Sequence, residues 1–374
     1  MADNNENKVL NVPHLRFPEF SGEWNKYTIN DLATVVGGGT PDTTVKSYWG
    51  GDIQWFTPSE IGKNKYVDFS KRTITRDGLD NSSAKLLPLH TILLSSRATV
   101  GECSIASNEC TTNQGFQSLI AKQCNIDFLY YLIQTKKKDL IRNACGSTFL
   151  EISANEIRKI KVAVPVQNEQ KQIAKLLSLI DERIATQNKI IEKLQSLIKG
   201  LAAQLTQSGT PNIRLCDCLE CHSSTLQENC VSVTGSYPVY GATGLIGYTN
   251  NYAYNGESIL IVKDGSGVGS LSYVNDHFSV IGTLNYLTAK ENYSILYLYY
   301  ALMAFNFTPY ITGMAIPHIY FKDYGKAKLF YPSIEKRIRI ASLLHNIEQK
   351  LVVEQNLVIS LSAQKSYLLR MLFI

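Results

Sequence analysis

An α+β protein built as a pseudo-twofold tandem repeat, in which two domains alternate with two long antiparallel coiled-coil helices, is what the 374-residue sequence predicts. Three observations predict it. A proline-then-amphipathic-helix segment, VPVQNEQKQIAKLLSLIDERI at 164–184, recurs as YPSIEKRIRIASLLHNIEQKL at 331–351. Each copy carries an apolar seam that repeats every 3.5 residues or so, the period of a coiled coil. The segments between them hold short apolar runs set among Gly, Asn, Asp and Ser clusters, which read as strands and turns.

The repeat takes in whole domains. At an offset of 167 residues Pro165 pairs with Pro332, Ile173-Ala174 with Ile340-Ala341, and Leu176-Leu177 with Leu343-Leu344. Upstream, TILLSSRATVGECS from Thr91 answers SILIVKDGSGVGSLS from Ser258, and GSTFLEIS from Gly146 answers GMAIPHIY from Gly313. DFLYYLI near Asp127 answers ILYLYYALM near Ile295. The order of elements is the same in both halves, and the unit is far larger than a solenoid repeat.

The first seam runs through Ile173, Leu177, Ile180, Ile184, Gln187, Ile191, Leu194, Ile198, Leu201 and Leu205, with Gln187 its one polar step. The second runs through Ile340, Leu344, Ile347, Leu351, Glu354, Val358, Leu361, Lys365, Leu368 and Leu372. Glu354 falls at the position equivalent to Gln187. A seam of this length needs a partner, and the other copy in the same chain is the nearest one; two unrelated core helices are the alternative. Paired antiparallel, the helices make a spacer of roughly 48 Å from Ile173 to Leu205 at 1.5 Å per residue. The runs TILLS (91–95), SILIV (258–262) and KAKLFYP (326–332) read as strands, and apolar-aromatic helices are expected over 127–142 and 294–305. The divisions that follow are an arm at 1–24, domains at 25–164 and 209–331, and helices at 165–208 and 332–374.

Composition excludes several function classes. Apolar content of 44% and charged content of 18% describe an ordered globular chain. There is no apolar run of about 18 residues and the first residues are polar, so a cytoplasmic location is expected. Cys216, Cys218, Cys221 and Cys230 crowd together beside His222, but C-x-C-x2-C-H lacks the paired knuckles of structural zinc sites. Reduced, buried or surface thiols are the reading taken, and no metal is assigned. Residues 25–163 carry 17 Lys/Arg against 13 Asp/Glu, and residues 214–330 carry 6 against 8. A net charge of +5 spread in this way argues against indiscriminate attraction to polyanions.

These features together resemble the specificity (S) subunits of type I restriction-modification systems. The residues that carry the resemblance are LRFPEFSGEW (15–24), GGGTPDTT and YWGGDIQWFTPSEIG within 37–62, TTNQGFQSL (111–119) and GSTFLEISANEIRKIKVAVPVQNEQKQIAKLL (146–177). In the second half they are YPVYGATGLIGY (237–248), GMAIPHIYFKDYGKAKLFYP (313–332) and the final helix, so the resemblance spans nearly the whole chain. One departure stands out: the E-Q pair that follows the proline in the family is Glu169-Gln170 in the first copy but Lys336-Arg337 in the second, so the two helix starts are not expected to make identical partner contacts.

The resemblance implies two α/β target-recognition domains on either side of the helices, each reading one half of a split double-stranded DNA site. It implies no catalysis in this chain. Two methyltransferase (M) subunits would methylate adenine N6 with S-adenosylmethionine, and restriction (R) subunits would cleave with ATP and Mg. The residues agree with that division of labour: Gly37-Gly38-Gly39 is followed by Thr-Pro and not by the Lys-Ser of an ATP loop, and the chain has no Pro-Pro pair of the kind amino-methyltransferases use. An S subunit of a type IIB-like system and a rod-like adaptor that binds no DNA are the competing readings. A spacer of roughly 48 Å would suit major-groove stretches one to one and a half turns apart, at ~34–36 Å per turn.

Base-edge readout needs donors and acceptors on loops, with Arg and Lys suited to guanine and Asn and Gln to adenine. The first domain offers Lys63, Lys65, Arg97, Asn113 and Gln114, and the second offers Tyr240, Thr243, Lys263, Ser266 and His318. Each has a plain structural alternative as a solvated side chain or a turn-closing group. The KKK tract at 136–138 is expected to end a helix, with phosphate contact as a second role.

Overall fold

The computed structural model describes residues 11–146 and 150–374. The first ten residues of the expected arm, and residues 147–149 of the GSTFLEIS motif, lie outside the described residues. Two compact units result: the first runs to Thr186 and takes in Val358–Ile374, and the second is Gln187–Leu357.

In the first unit β1 (Asn25–Thr28) leads into α1 (Ile29–Leu32) and β2 (Ala33–Gly37). There follow β3 (Trp49–Phe56), β4 (Tyr66–Val67), β5 (Arg72–Ile74), α2 (Arg76–Asp80), β6 (Ile92–Leu94), β7 (Cys103–Ala106), β8 (Cys110–Thr112) and β9 (Gln117–Ala121). The remainder is α3 (Ile126–Thr135), α4 (Lys137–Arg142), α5 (Ala154–Lys159), β10 (Lys161–Val164) and the first part of the 40-residue α6 (Gln167–Thr206). Strands β2-β9-β6-β7-β4 form one sheet and β5-β3-β8 another, while β1 pairs with β10 as a separate ribbon. Only β3 with β8 and β4 with β7 run parallel, so the domain is α+β.

The core forms where the apolar helix α3 lies against this sheet. Asn125 caps α3 by accepting from the Phe128 amide at 2.9 Å. Every residue from Phe128 to Ile133 is buried, alongside Ile92, Leu94, Ile105 and Leu119. At ~1.5–3 kcal/mol per fully buried large side chain, this one helix carries much of the domain's stability. The expected single helix over 127–142 is two helices joined at Lys136. The KKK tract ends α3, with Lys136 as its C-cap, and opens α4: Lys136 Nζ donates to the Ile374 carbonyl at 2.8 Å, and Lys137 pairs with Glu102.

The second unit repeats the plan with β11 (Ile213–Arg214), α7 (Leu215–Cys218), β12 (Leu219–Ser223), β13 (Tyr237–Gly241), β14 (Gly244–Thr249), β15 (Tyr254–Val262), β16 (Leu271–Val280) and β17 (Leu284–Ala289). Then come α8 (Ile295–Met303), capped by Ser294, the short α9 (Phe321–Tyr324), β18 (Lys328–Leu329) and the 38-residue α10 (Ile334–Met371). Six strands make one sheet in the order β12-β17-β15-β16-β13-β14, and β11 pairs with β18. The KAKLFYP stretch is a strand only over Lys328–Leu329, because a side chain takes over the ladder. Asn212 Nδ2 donates to the Tyr331 carbonyl at 2.9 Å, and its Oδ1 accepts from the Tyr331 amide at 2.7 Å.

The long helices are paired inside each unit. In the first, Asp181 meets Lys365 at 2.7 Å, and Ile173, Ala174 and Leu177 share a core with Leu372 and Phe373. In the second, Gln187 Nε2 donates to the Glu354 carboxylate, and Ala202 shares a core with Ile340, Ala341 and Leu344. Early residues of α6 meet late residues of α10, so they run antiparallel. Every seam position of both helices is buried or half-buried. Of the three polar steps, Gln187 and Glu354 satisfy each other and Lys365 pairs with Asp181, register devices where apolar residues would leave the pairing free to slip.

Each domain is also tied to its helix at equivalent positions. Tyr131 donates to Asp181 at 2.6 Å in the first unit. In the second, Tyr300 and Tyr299 both donate to Glu348, at 2.7 and 2.9 Å, and Glu348 lies 167 residues beyond Asp181. Burial, and then the accepting carboxylates, push all three phenols well above their ordinary range, so they stay donors at any physiological pH. Glu348→Ala is expected to lower the melting temperature by roughly 5 °C, about 2 kcal/mol, because two buried hydroxyls lose one charged acceptor. Glu348→Gln should recover part of the loss. An unchanged melting temperature for the alanine variant would show that the tie is not structural.

Candidate nucleic-acid interface

At one end of the first domain's sheets the strand-to-strand loops are laced together by backbone hydrogen bonds. The Gly39 amide donates to Thr112 O at 2.8 Å, Asn113 N to Phe56 O at 3.0 Å, Ser96 N to Gly115 O at 2.8 Å and Ile152 N to Ser96 O at 2.9 Å. The glycine run is needed here: a Cβ on Gly38 would lie 2.0 Å from the Asn113 carbonyl. The loops at 37–40, 95–97, 113–116 and 150–152 therefore form one surface.

Three of the five first-domain candidates lie on that surface. Arg97 is half-exposed and pairs with Glu151 through Nε and Nη2, at 3.1 and 2.7 Å. Asn113 is half-buried and closes its own turn by accepting from the Gly115 amide at 2.9 Å. Gln114 is exposed and accepts from the Thr40 hydroxyl. The other two are elsewhere. Lys63 is exposed on the turn beyond Ile61. Lys65 is drawn inward: its Nζ sits 2.7 Å from Asp127 and 2.6 Å from Ser178 Oγ and lies 4.9 Å from the centre of the Tyr131 ring. Its side chain is only 9% exposed, so it belongs to the tie between domain and helix and is not offered to a groove.

The second domain builds a corresponding surface in which part of this lacing recurs. Ile319 N donates to Lys263 O at 3.0 Å, the counterpart of Ile152 to Ser96. The strand-like bridges Arg97 to Glu151 and Cys145 to Glu151 recur as Asp264 to His318 and Thr312 to His318, each at the 167-residue offset. Lys263, Ser266 and His318 are thus brought together. Lys263 pairs with Asp264 at 3.7 Å, Ser266 is exposed in the Gly-rich turn, and His318 Nδ1 lies 3.1 Å from its own turn's Ile316 O. Tyr240 joins through Ile281, whose amide donates to the Tyr240 carbonyl at 3.0 Å; its half-buried ring packs on Phe278. Burial raises the Tyr240 phenol above its ordinary range. Thr243 is exposed in the β13–β14 hairpin turn.

Two features of these surfaces are not among the residues the sequence singled out. Arg72 stacks 3.6 Å over the Trp49 ring and 5.5 Å from that of Trp55, and its alternation with Ile74 on β5 was the available signal. In the second domain the turn closed by Thr312 and His318 exposes Met314 and Ile316. Cys216, Cys218, Cys221 and Cys230 do not converge: among the described residues no group of three or more His, Cys, Asp or Glu side chains could hold a metal ion. Burial instead pushes the Cys218 thiol up to about 12 and that of Cys221 to about 11. No helix among the described residues is long and apolar enough to cross a membrane.

The family model described as the type I restriction modification DNA specificity domain matches residues 21–196 and 213–361, once over each half of the repeat. The chain belongs to this family. The specificity subunit of the type I restriction enzyme MjaIX from Methanocaldococcus jannaschii is 39% identical over 183 residues, which is 46% of this chain and 42% of that protein. The chain therefore spans less than half of that relative's length. The EcoprrI specificity subunit from Escherichia coli is 25% identical over 359 residues, 87% of each chain. Among solved structures, the type I restriction-modification S subunit from M. genitalium shares the fold, with a TM-score of 0.64 at 19% identity over 97% of this chain and 99% of that one. The tandem arrangement of two such domains with two long helices is the fold this chain shares with that S subunit.

In this specificity-domain chain the E-Q departure has an internal meaning. Glu169 is fully buried and receives Arg16 Nε and Nη2, both at 2.8 Å, and Trp24 Nε1 at 3.3 Å. Gln170 donates to the Pro165 carbonyl at 2.9 Å, and Arg337 makes the matching bond to Pro332 at 2.8 Å. Lys336, the counterpart of Glu169, is exposed and reaches Ser208 Oγ at 3.2 Å. The difference between the two helix starts thus fixes the arm to the first unit, and nothing comparable is fixed at the second among the described residues.

Proposed function

We propose that this chain is the non-catalytic DNA-recognition subunit of a type I restriction-modification complex. Each domain reads one half of a split, asymmetric duplex site, and the paired helices α6 and α10 set the unread gap. Two M subunits methylate adenine N6 from S-adenosylmethionine, and R subunits add ATP- and Mg-dependent cleavage. The observation that carries this reading is the duplicated loop surface, Arg97 with Glu151 in one domain and Asp264 with His318 in the other, on a chain matched in both halves by a DNA-specificity family. Two surfaces with the same backbone and different side chains suit the reading of two different half-sites. Arg97, Asn113 and Gln114, with the exposed Lys63 as a further cation, are the proposed contacts of the first domain. Tyr240, Thr243, Lys263, Ser266 and His318 are those of the second.

The gap-setting role is tested by inserting four residues after Lys189. The insertion moves one part of α6 about 6 Å along α10. Methylation of the host genome is expected to shift to a motif with an altered gap or to disappear. The same motif with the same gap, methylated as fully as before, refutes the role.

A further inference from the structure

We infer that the tip of the 312–318 turn, Met314 with Ile316, is an apolar wedge that enters the DNA half-site read by the second domain, touching a thymine methyl or a base step. This rests on the DNA-recognition reading above and names a contact within it. Met314 is fully exposed and Ile316 is 65% exposed. Such exposure on a slack loop would mean little, but this turn is rigidly held.

Thr312 N donates to His318 O at 2.9 Å and His318 N returns a bond to Thr312 O at 2.8 Å. Gly265 N donates to Pro317 O at 2.9 Å and Ile319 N to Lys263 O at 3.0 Å, which fastens the turn to the Gly-rich loop beneath. Gly313 takes φ +89°, and a Cβ there would lie 2.3 Å from the Ile316 carbonyl and 2.7 Å from His318 Nδ1. The backbone thus holds the two apolar side chains out in water against their hydration cost, and a partner that covers them recovers it.

The rim says which partner. Across residues 263–269 and 311–323 the carboxylates are Asp264, 3.7 Å from Lys263, and Asp323, which follows Lys322 in the chain, so the rim carries no excess of negative charge. Lys322 lies 5.0 Å over the exposed Tyr320 ring, and His318 packs edge-on to the same ring at 5.1 Å. Two exposed apolar side chains on the loop surface that carries Lys263, Ser266 and His318 match a groove whose walls are phosphates and whose floor is stacked bases. They fall far short of the ~800 Å² per partner of an ordinary protein interface.

The test uses the complex with its M subunits and two duplexes, one carrying the methylated motif of the host genome and one with that motif scrambled. For the Met314→Ala/Ile316→Ala variant, affinity for the motif duplex should fall about tenfold while affinity for the scrambled duplex changes less than about twofold. A 2-aminopurine placed in the second domain's half-site should lose the fluorescence change it shows with the wild-type complex. Both side chains are exposed, so the variant's melting temperature should match the wild type's, and Met314→Leu should retain most of the binding. Unchanged motif affinity and fluorescence would overturn the inference, and so would a variant that no longer associates with the M subunits, which would assign the tip to a protein contact. A wild-type complex that does not prefer the motif duplex would instead overturn the DNA-recognition reading itself.

Discussion

Exchange of residues 25–164 for the corresponding domain of another specificity subunit should replace one half of the methylated motif and leave the other half and the gap unchanged. The expected effect is complete, a new half-site methylated throughout the genome and the old one lost. The physical basis is that the readout loops of each domain are laced to one another and to their own sheet. The attachment to the helix is made within the unit by an apolar face, Phe128 and its neighbours sharing a core with Ile173, Ala174 and Leu177, and by the ties of Tyr131 to Asp181, Asn125 N to Gln170, and Lys65 to Ser178. A donor domain that supplies an equivalent tyrosine and cap should seat on α6 without rebuilding it. The motif is read by sequencing methylated adenines in a host expressing the exchanged chain with the same M subunit. A change in both halves would show that neither domain reads alone.

Arg16→Ala should destabilise the first unit by about 3 kcal/mol or more, the largest single-residue effect expected outside the apolar core. Glu169 is fully buried, and Arg16 is the cation that compensates it. Removing that cation leaves a buried carboxylate with the Trp24 indole as its one remaining side-chain donor among the described residues. A bidentate guanidinium is not replaced by an ammonium, so Arg16→Lys should recover only part of the loss. Adding Glu169→Gln to Arg16→Ala should recover more, since no charge then remains buried. The pair is shielded from solvent, and the loss should change little with salt. Chemical denaturation of the four chains checks this; equal stability of Arg16→Ala and wild type would remove the arm from the account.

The helices were legible because an apolar seam of 3.5-residue period, sustained over ten steps, is specific to paired helices, and because it occurs twice in register. The same offset that pairs Pro165 with Pro332 also pairs Asp181 with Glu348 and Glu151 with His318, so the repeat extends to single contacts. What sequence could not show were partners brought close only by folding. Lys65 has the setting of a loop lysine and is captured by Asp127 and Ser178. Glu169-Gln170 has the look of a surface motif and is an internal anchor for Arg16, Trp24 and Asn125. The helix over 127–142 breaks at Lys136, where two neighbouring lysines find separate acceptors on Ile374 and Glu102. The proposed readout residues were legible as hydrogen-bonding side chains on loops, a signal that passes over Met314 and Ile316, whose exposure depends on the backbone of one turn.

The most direct measurement is the adenine methylation pattern of a host genome with and without this chain, in the presence of its M subunit throughout. One split, asymmetric motif is expected, two short specified halves around an unread gap, methylated at N6 only when the chain is present. A motif that persists without the chain, or one that is continuous with no gap, would contradict it.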